Sequence, residues 1–423
     1  MGLSTNREIF KVKSLTPKRQ KKSALAIDKS NNLYGEDLSF KGCETQHSTH
    51  ALHTYVAAIN PPLARKLIET YIPEGESILD PFCGGGGVLV EAALSGRVST
   101  GGEINPLGLI ISKAKTTHIS KKQTAYLIEN ILQGAHIYLK EIDLSKIDSK
   151  IRFWFKDKQL SQLVSLSKAF ADQKTSGDIR NLFQAILSAT IRDVMLTYRG
   201  EVRLRKLQNK DFEKFDPDTF AVFEKRARLT IERVDSLPTK HRSDINVRDV
   251  RDLPFEDNTF HSIVCSPPYA DDKNGVGYFQ FSKNMLSLLG FTPEEIKDHR
   301  SLFLGVVTTG KTPPKSKSLS KSLKNVLAQK PEKYNEAVAF YSDYAKGLSE
   351  MVRVTRDKII IVIGNRVLAR TEFDNAAITV EVLKDHGVEL LHHYTRVLNK
   401  KRIPNLGGDG GGINVEHILV FKK

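Results

Sequence analysis

The stretch Ile263-Val264-Cys265-Ser266-Pro267-Pro268-Tyr269 constrains this chain most: an apolar run of strand character stops against two consecutive prolines. Neither proline has an N–H to give to a ladder, and Pro268 keeps Pro267 extended, so strand pairing ends near Ser266 in a stiff turn. In an α/β sheet, ligands are handled in the crevice outside the carboxyl ends of the strands. The turn offers a hydroxyl (Ser266), carbonyls including that of Pro267, and a flat ring (Tyr269). That set suits a planar ring carrying an exocyclic amino group. Such an amine is a poor nucleophile because its lone pair is delocalised into the ring. Acceptors on its protons draw the nitrogen toward tetrahedral geometry, and an aromatic neighbour stacks on the ring. No cysteine nucleophile is required.

Upstream, Ser77-Ile78-Leu79 reads as a short buried strand running into Asp80-Pro81-Phe82-Cys83-Gly84-Gly85-Gly86-Gly87, with an amphipathic helix from about Val88. Strand, glycine loop and helix make a nucleotide-type turn: glycines let a ligand approach the backbone, and the helix N-terminus favours a negative group. The Lys-Ser/Thr of a phosphate-binding P-loop is absent. The next strand, Val98 to Gly102, ends in Glu103, where an acid typically bonds both hydroxyls of a ribose. Ile245-Asn246-Val247 is a further strand and leads into Arg248-Asp249-Val250-Arg251-Asp252.

Ser266-Pro267-Pro268-Tyr269 resembles the catalytic motif of amino-group DNA methyltransferases, and its serine form is most similar to the cytosine-N4 branch. The stretch from Asp80 to Ala92, with Gly102-Glu103-Ile104-Asn105-Pro106 after it, resembles the S-adenosylmethionine site of the same family. The resemblance implies that Asp80, Phe82, Gly84, Gly85 and Gly86 border the methionine moiety, that Glu103 holds the ribose with Asn105 beside it, and that Thr49 lines the methionine pocket. It assigns the adenine amino group to Asp249, with Asp252 as the fallback. Ser266 and the Pro267 carbonyl would accept the target amine's protons, Pro268 would fix the turn, and Tyr269 would stack on the flipped base. The chain departs from the family at Gly102-Glu103, where a hydrophobic-Asp pair is usual, and at Val56, where a proline is usual. The implied fold is α/β, a class I Rossmann-like methyltransferase with a seven-stranded, mostly parallel sheet. Strands near Ile78, Ser99, Ile245, Ile263, Ile359, Val388 and Ile418 supply that number.

Between about Thr117 and Pro238 the periodicity turns helical, with faces such as Leu127, Ile128, Ile131, Leu132 and Ile179, Leu182, Phe183, Ile186. Residues 117–238 are therefore a helical insertion into a catalytic domain formed by 48–116 and 239–423, preceded by a Lys-rich arm, 1–47. Trp154 reads as core. Residues 270–333, polar and Lys-rich with few apolar demands, read as the exposed segment that contacts base edges. The basic patch Arg199, Arg203, Arg205, Lys206 and Lys210 reads as backbone contact. A formal net charge of +15 favours a polyanionic partner. The three cysteines form no CxxC and suit a reducing cytoplasm. His47, His50 and His53 match no familiar ligand spacing and have no acid nearby in sequence, so no metal is expected. Neither a signal peptide nor a membrane-spanning segment is indicated.

Taken together, these features lead to the expectation of a site-specific enzyme that flips a cytosine from double-stranded DNA and methylates N4, as the partner of a restriction endonuclease. Adenine-N6 methylation uses the same geometry, although Asp at position 266 would favour it. Guanine-N2 methylation of tRNA would need an RNA-binding module, and a catalytically silent DNA-binding scaffold would not need both motifs intact.

Overall fold

The computed structural model describes residues 32–56, 58–173, 175, 177–198, 204–238, 243–269, 278–398 and 414–423. Its strands are β1 (Ser77–Asp80), β2 (Val98–Gly102), β3 (Asp244–Asn246), β4 (Phe260–Cys265), β5 (Thr355–Gly364), β6 (Arg366–Leu368), β7 (Thr371–Phe373), β8 (Glu389–Val397) and β9 (Val415–Lys422). Seven of them form one sheet in the order β3-β2-β1-β4-β5-β9-β8, while β6 and β7 pair as a separate hairpin. The first five sheet strands are parallel, and β9 runs antiparallel between β5 and β8. This is the expected Rossmann-like sheet. Its strand order reverses between β1 and β4, and that switch point is where a ligand crevice opens.

The helices in order are α1 (Pro61–Tyr71), α2 (Gly87–Leu94), α3 (Pro106–Thr116), the inserted α4 (Lys121–Tyr138), α5 (Ser149–Arg152), α6 (Asp157–Ala171), α7 (Gly177–Val194), α8 (Asn209–Lys214) and α9 (Thr219–Arg233), then α10 (Tyr278–Leu288), α11 (Pro293–Ser301), α12 (Lys317–Gln329), α13 (Tyr334–Val354) and α14 (Asn375–Asp385). Successive strand residues point to opposite faces, so a strand covered on both sides is apolar throughout. Thus Ile360 and Val362 of β5 pack with Leu63 and Leu67 of α1. Ile359, Ile361 and Ile363 pack with Leu348 and Met351 of α13. The inserted helices build a core of their own, in which Ile131, Leu163, Leu182 and Phe223 share a cluster with Leu107 and Ile111 of α3. Trp154 packs against it, partly buried.

Several expectations change. Part of 270–333, expected to be exposed, is built into the core: Ser316 caps α12, whose Leu319, Leu323 and Val326 are buried with residues of α13 and α14. Three apolar residues at helical spacing are enough to bury one face of an otherwise Lys- and Ser-rich helix. The reason for assigning base reading to 270–333, its few apolar demands, therefore falls away. Within the expected arm, Leu33 and Leu38 are buried, and the Leu33 N–H donates to Tyr394 Oη at 3.0 Å. The strand expected at Val388 continues to Val397 because, as the sheet edge, its exposed face carries polar residues that break the apolar run. Lys18 to Lys22, Arg199, Arg203, 270–277 and Gly407 to Gly412 lie outside the described residues. Of the rest of the basic patch, Arg205 lies 4.0 Å over the Tyr198 ring and Lys206 3.8 Å over Phe153.

Candidate active site

At the switch point, the carboxyl ends of the strands open on a cavity of about 380 Å³. Its wall includes Asp80 at the end of β1 with Phe82, Gly84 and Gly85 after it, Glu103 and Asn105 after β2, Asp249 after β3, and Ser266 and Pro268 after β4. Tyr55, which the sequence did not single out, lies directly on the glycine loop. A Cβ at Gly85 would stand 2.6 Å from Tyr55 Cβ, and one at Gly84 would stand 2.9 Å from Tyr55 Cε1. No other residue fits there. Gly86 serves differently: with φ +77 it caps α2, and a Cβ would meet the Ser112 backbone at 2.9 Å, so it is a packing glycine outside the wall.

Two acids face this cavity from buried positions. Asp80 accepts the Phe82 N–H at 3.0 Å, and burial, reinforced by the nearby Glu103 charge, raises its pKa to about 8. Glu103 accepts the N–H groups of Ile104 (2.8 Å) and Asn105 (2.7 Å), yet burial still pushes it up to about 7. A ligand bringing positive charge and hydroxyl donors would favour both carboxylates in their ionised form. S-adenosylmethionine, with a sulfonium, an ammonium and a ribose diol, fits that demand and the glycine cradle.

The sign of the pH dependence follows. By itself, a carboxyl with a raised pKa contributes stability that is present below its ordinary value and lost as pH rises through the folded value, here about 7 for Glu103 and about 8 for Asp80. A cationic ligand expels those protons, so its affinity should rise with pH below 7, by up to roughly tenfold per unit for each proton released. Glu103→Ala should weaken S-adenosylmethionine binding by roughly 1.5–3 kcal/mol and flatten this slope. Calorimetric titration at several pH values, in buffers of different ionisation enthalpy, measures both effects. Equal affinity in variant and wild type would remove Glu103 from the site.

Asp249 faces the cavity with its carboxylate already engaged, since Arg251 Nε lies 2.9 and 3.0 Å from its two oxygens. Asn105 caps α3 by accepting the Leu107 N–H, and its amide donates to Tyr55 Oη (3.1 Å) and Ser282 Oγ (2.7 Å). It therefore sets the position of Tyr55. Thr49 is placed outside the wall, fully buried, with its hydroxyl on the Lys115 carbonyl at 2.7 Å. The segment's contribution to the cavity comes from Tyr55 and Val56 instead.

At the turn after β4, Pro267 is buried behind Ser266 and Pro268. Tyr269 is not on the wall either. The residue is only 8% exposed, in the core shared with α13 and α14, and its hydroxyl donates to Glu416 Oε1 at 3.1 Å. The expected stacking face is thus turned inward, because a buried phenol is held by a hydrogen-bond partner that solvent would otherwise replace. Ser266 Oγ lies 3.2 Å from the same Tyr269 hydroxyl. Since the phenol's single proton goes to Glu416, the Ser266 proton points at the phenol oxygen, leaving the serine lone pairs to accept. Arg396 Nε, 2.8 Å from Glu416 Oε2, fixes the far end of this chain.

The roof of the cavity runs from Phe303 to Val307 and was not legible in the sequence. Buried Asp343 anchors it, accepting from Gly305 N at 2.9 Å and Lys311 Nζ at 2.6 Å. An acid inside the apolar face of α13 was the available signal.

A cluster outside the cavity corrects another expectation. An acid remote in sequence joins two of the three histidines: His47 Nε2 and His50 Nε2 each lie 2.7 Å from Glu91 Oε1, and Arg65 Nε lies 2.6 Å from Oε2. His53 turns away to the Thr54 carbonyl. Burial would raise the fully buried Glu91, but the hydrogen bonds from His47 and His50 outweigh it and hold its pKa at about 2. The partners diverge: the bond to Glu91 raises His47, whereas burial lowers His50.

Comparison with known proteins adds to this geometry. Residues 50–151 match the family model of the RMKL-like methyltransferase domain. The type II methyltransferase M.MvaI of Kocuria varians is 30% identical, over 93% of this chain and 94% of its own length. The type II methyltransferase M.BsoBI of Geobacillus stearothermophilus is 22% identical over 70% of this chain and 63% of its own. A solved S-adenosylmethionine-dependent methyltransferase from Methanosarcina mazei covers 84% of this chain and 96% of its own at 11% identity, with a TM-score of 0.32, too loose to add to the strand order.

Proposed function

The chain belongs to the type II DNA methyltransferases of restriction-modification systems, and from that membership we propose that it methylates the N4 amino group of a cytosine extruded from double-stranded DNA, protecting host DNA from a cognate endonuclease. Its methyl donor is S-adenosylmethionine, which supplies an electrophilic methyl on a sulfonium when bound. Asp80 and Glu103 would hold the donor's cationic and ribose parts, with Tyr55 and the glycine loop shaping its bed.

The observation that carries the reading is Ser266, its hydroxyl proton turned to Tyr269 so that its lone pairs can accept, in the same cavity wall as Asp80 and Glu103. A paired amine is inaccessible inside the stack, so the base has to leave it. Ser266 Oγ then accepts a hydrogen bond from the amine, which helps localise the nitrogen lone pair for attack, while Pro268 and the buried Pro267 hold the turn stiff behind it. Tyr269 and Glu416 position Ser266. Attack from carbon 5 would call for a thiolate in a Pro-Cys pair, and the sequence has none. Cys83 and Cys265 are buried, and burial pushes both thiols well above their ordinary value. Mass spectrometry of nucleosides from treated duplex DNA should find N4-methylcytosine; N6-methyladenine alone would reject the base while leaving the methyltransferase.

A further inference from the structure

Beyond Ser266 the cavity continues along a wall that includes Glu336, Phe340 and Arg366. Arg366 opens β6 directly after β5, and β5 is the parallel neighbour of β4. Along the carboxyl edge of the sheet, Glu103, Asp80, Ser266 and Arg366 therefore follow in order, at or just past the ends of β2, β1, β4 and β5. The two acids that suit the methyl donor stand on one side of Ser266, and the guanidinium stands on the other. The Arg366 side chain is only 3% exposed. Its Nη2 lies 3.3 Å from Glu336 Oε1, a long contact for an ion pair, and among the described residues its Nε has no hydrogen-bond partner. Arginine cannot shed its proton to escape burial, so the buried Nε–H of this cavity-lining residue bears its desolvation cost until a small shift of the guanidinium brings it an acceptor.

We propose that Arg366 reads the extruded base, donating to the N3 and O2 acceptors of cytosine while Ser266 accepts from its amine, with Glu336 positioning the guanidinium. The inference rests on the reaction proposed above and adds how the base is chosen. The Watson–Crick edge of cytosine runs amine, N3 acceptor, O2 acceptor. Adenine with its amine in the same place offers N1 and then a C–H, so the fork makes two bonds to cytosine and one to adenine.

The test places cytosine or adenine at the target position opposite an abasic site, so that extrusion costs are alike, and compares methyl transfer to each by wild type, Arg366→Gln and Glu336→Gln. Arg366→Gln should lower the cytosine-to-adenine ratio by roughly 10- to 100-fold, mainly through KM for DNA, with S-adenosylmethionine affinity unchanged. Glu336→Gln should lower it less. If the glutamine variant does not fold, Arg366→Lys, which keeps the charge and loses the fork, should show the same direction. Transfer to cytosine with an unchanged ratio in a folded variant overturns the role of Arg366, as does a loss of S-adenosylmethionine affinity that accounts for the whole effect. A wild type that methylates only adenine defeats the underlying reaction instead, so the two failures are distinguishable.

Discussion

Ser266→Ala is expected to slow methyl transfer by about 10²-fold, the scale of losing one preorganised hydrogen bond to a reacting group, while cofactor affinity stays within about twofold. Ser266 occupies the wall between the acids and Arg366, and its hydroxyl proton is committed to Tyr269 Oη. On the proposed reaction, what alanine removes is an acceptor for the amine, a contact that strengthens as the nitrogen gains positive charge. Nothing on the acid side of the cavity changes. Single-turnover kinetics with saturating donor, beside calorimetric titration of the donor, separates the two quantities. Affinity falling in step with rate would move Ser266 from the target base to the cofactor.

Glu91→Ala is expected to cost about 3 kcal/mol of stability, the lower end for removing one partner from a buried charged cluster. The side chain of Glu91 is fully buried, and three nitrogens from His47, His50 and Arg65 converge on it. Alanine leaves His50 buried without its acceptor, whereas Arg65, more than a third exposed, regains water, which keeps the loss from the upper end. A carboxylate with a depressed pKa stabilises the fold above its ordinary value of 4.5 and loses that contribution as pH falls through about 2. The gap between variant and wild type should thus be widest near neutral pH and narrow below 4.5. Urea unfolding at pH 7 and pH 3 measures it, and a gap independent of pH would show that packing, not charge, is what Glu91 contributes.

The two motifs were legible because each is local. Proline geometry at Pro267-Pro268 and the glycine run after Asp80 state their conformation within a few residues, and apolar runs such as Ile359 to Ile363 declare a doubly covered strand. The rest of the site was hidden because it is assembled from a distance. Tyr55 matters only through the loop it rests on, Arg366 only because β5 lies beside β4, and Glu91 only because α2 faces the 3₁₀ turn Ser48–Leu52. The inward turn of Tyr269 was hidden too, since its partner Glu416 arrives from β9. Buried polar partners of this kind leave no periodic trace.

The helical insertion also bears on how the chain reaches this state. Gly101 of β2 must find Ile245 of β3 across the whole of α4 to α9, a pairing with a high loop-closure cost in an open chain. The inserted helices pack on one another and dock back on α3, which leads straight out of β2. Once they collapse, the two strands are delivered side by side, and the long span behaves as a short one. Pulsed hydrogen exchange during refolding should therefore protect α4, α6, α7 and α9 before β3. Simultaneous protection would mean that the sheet organises the helices rather than the reverse.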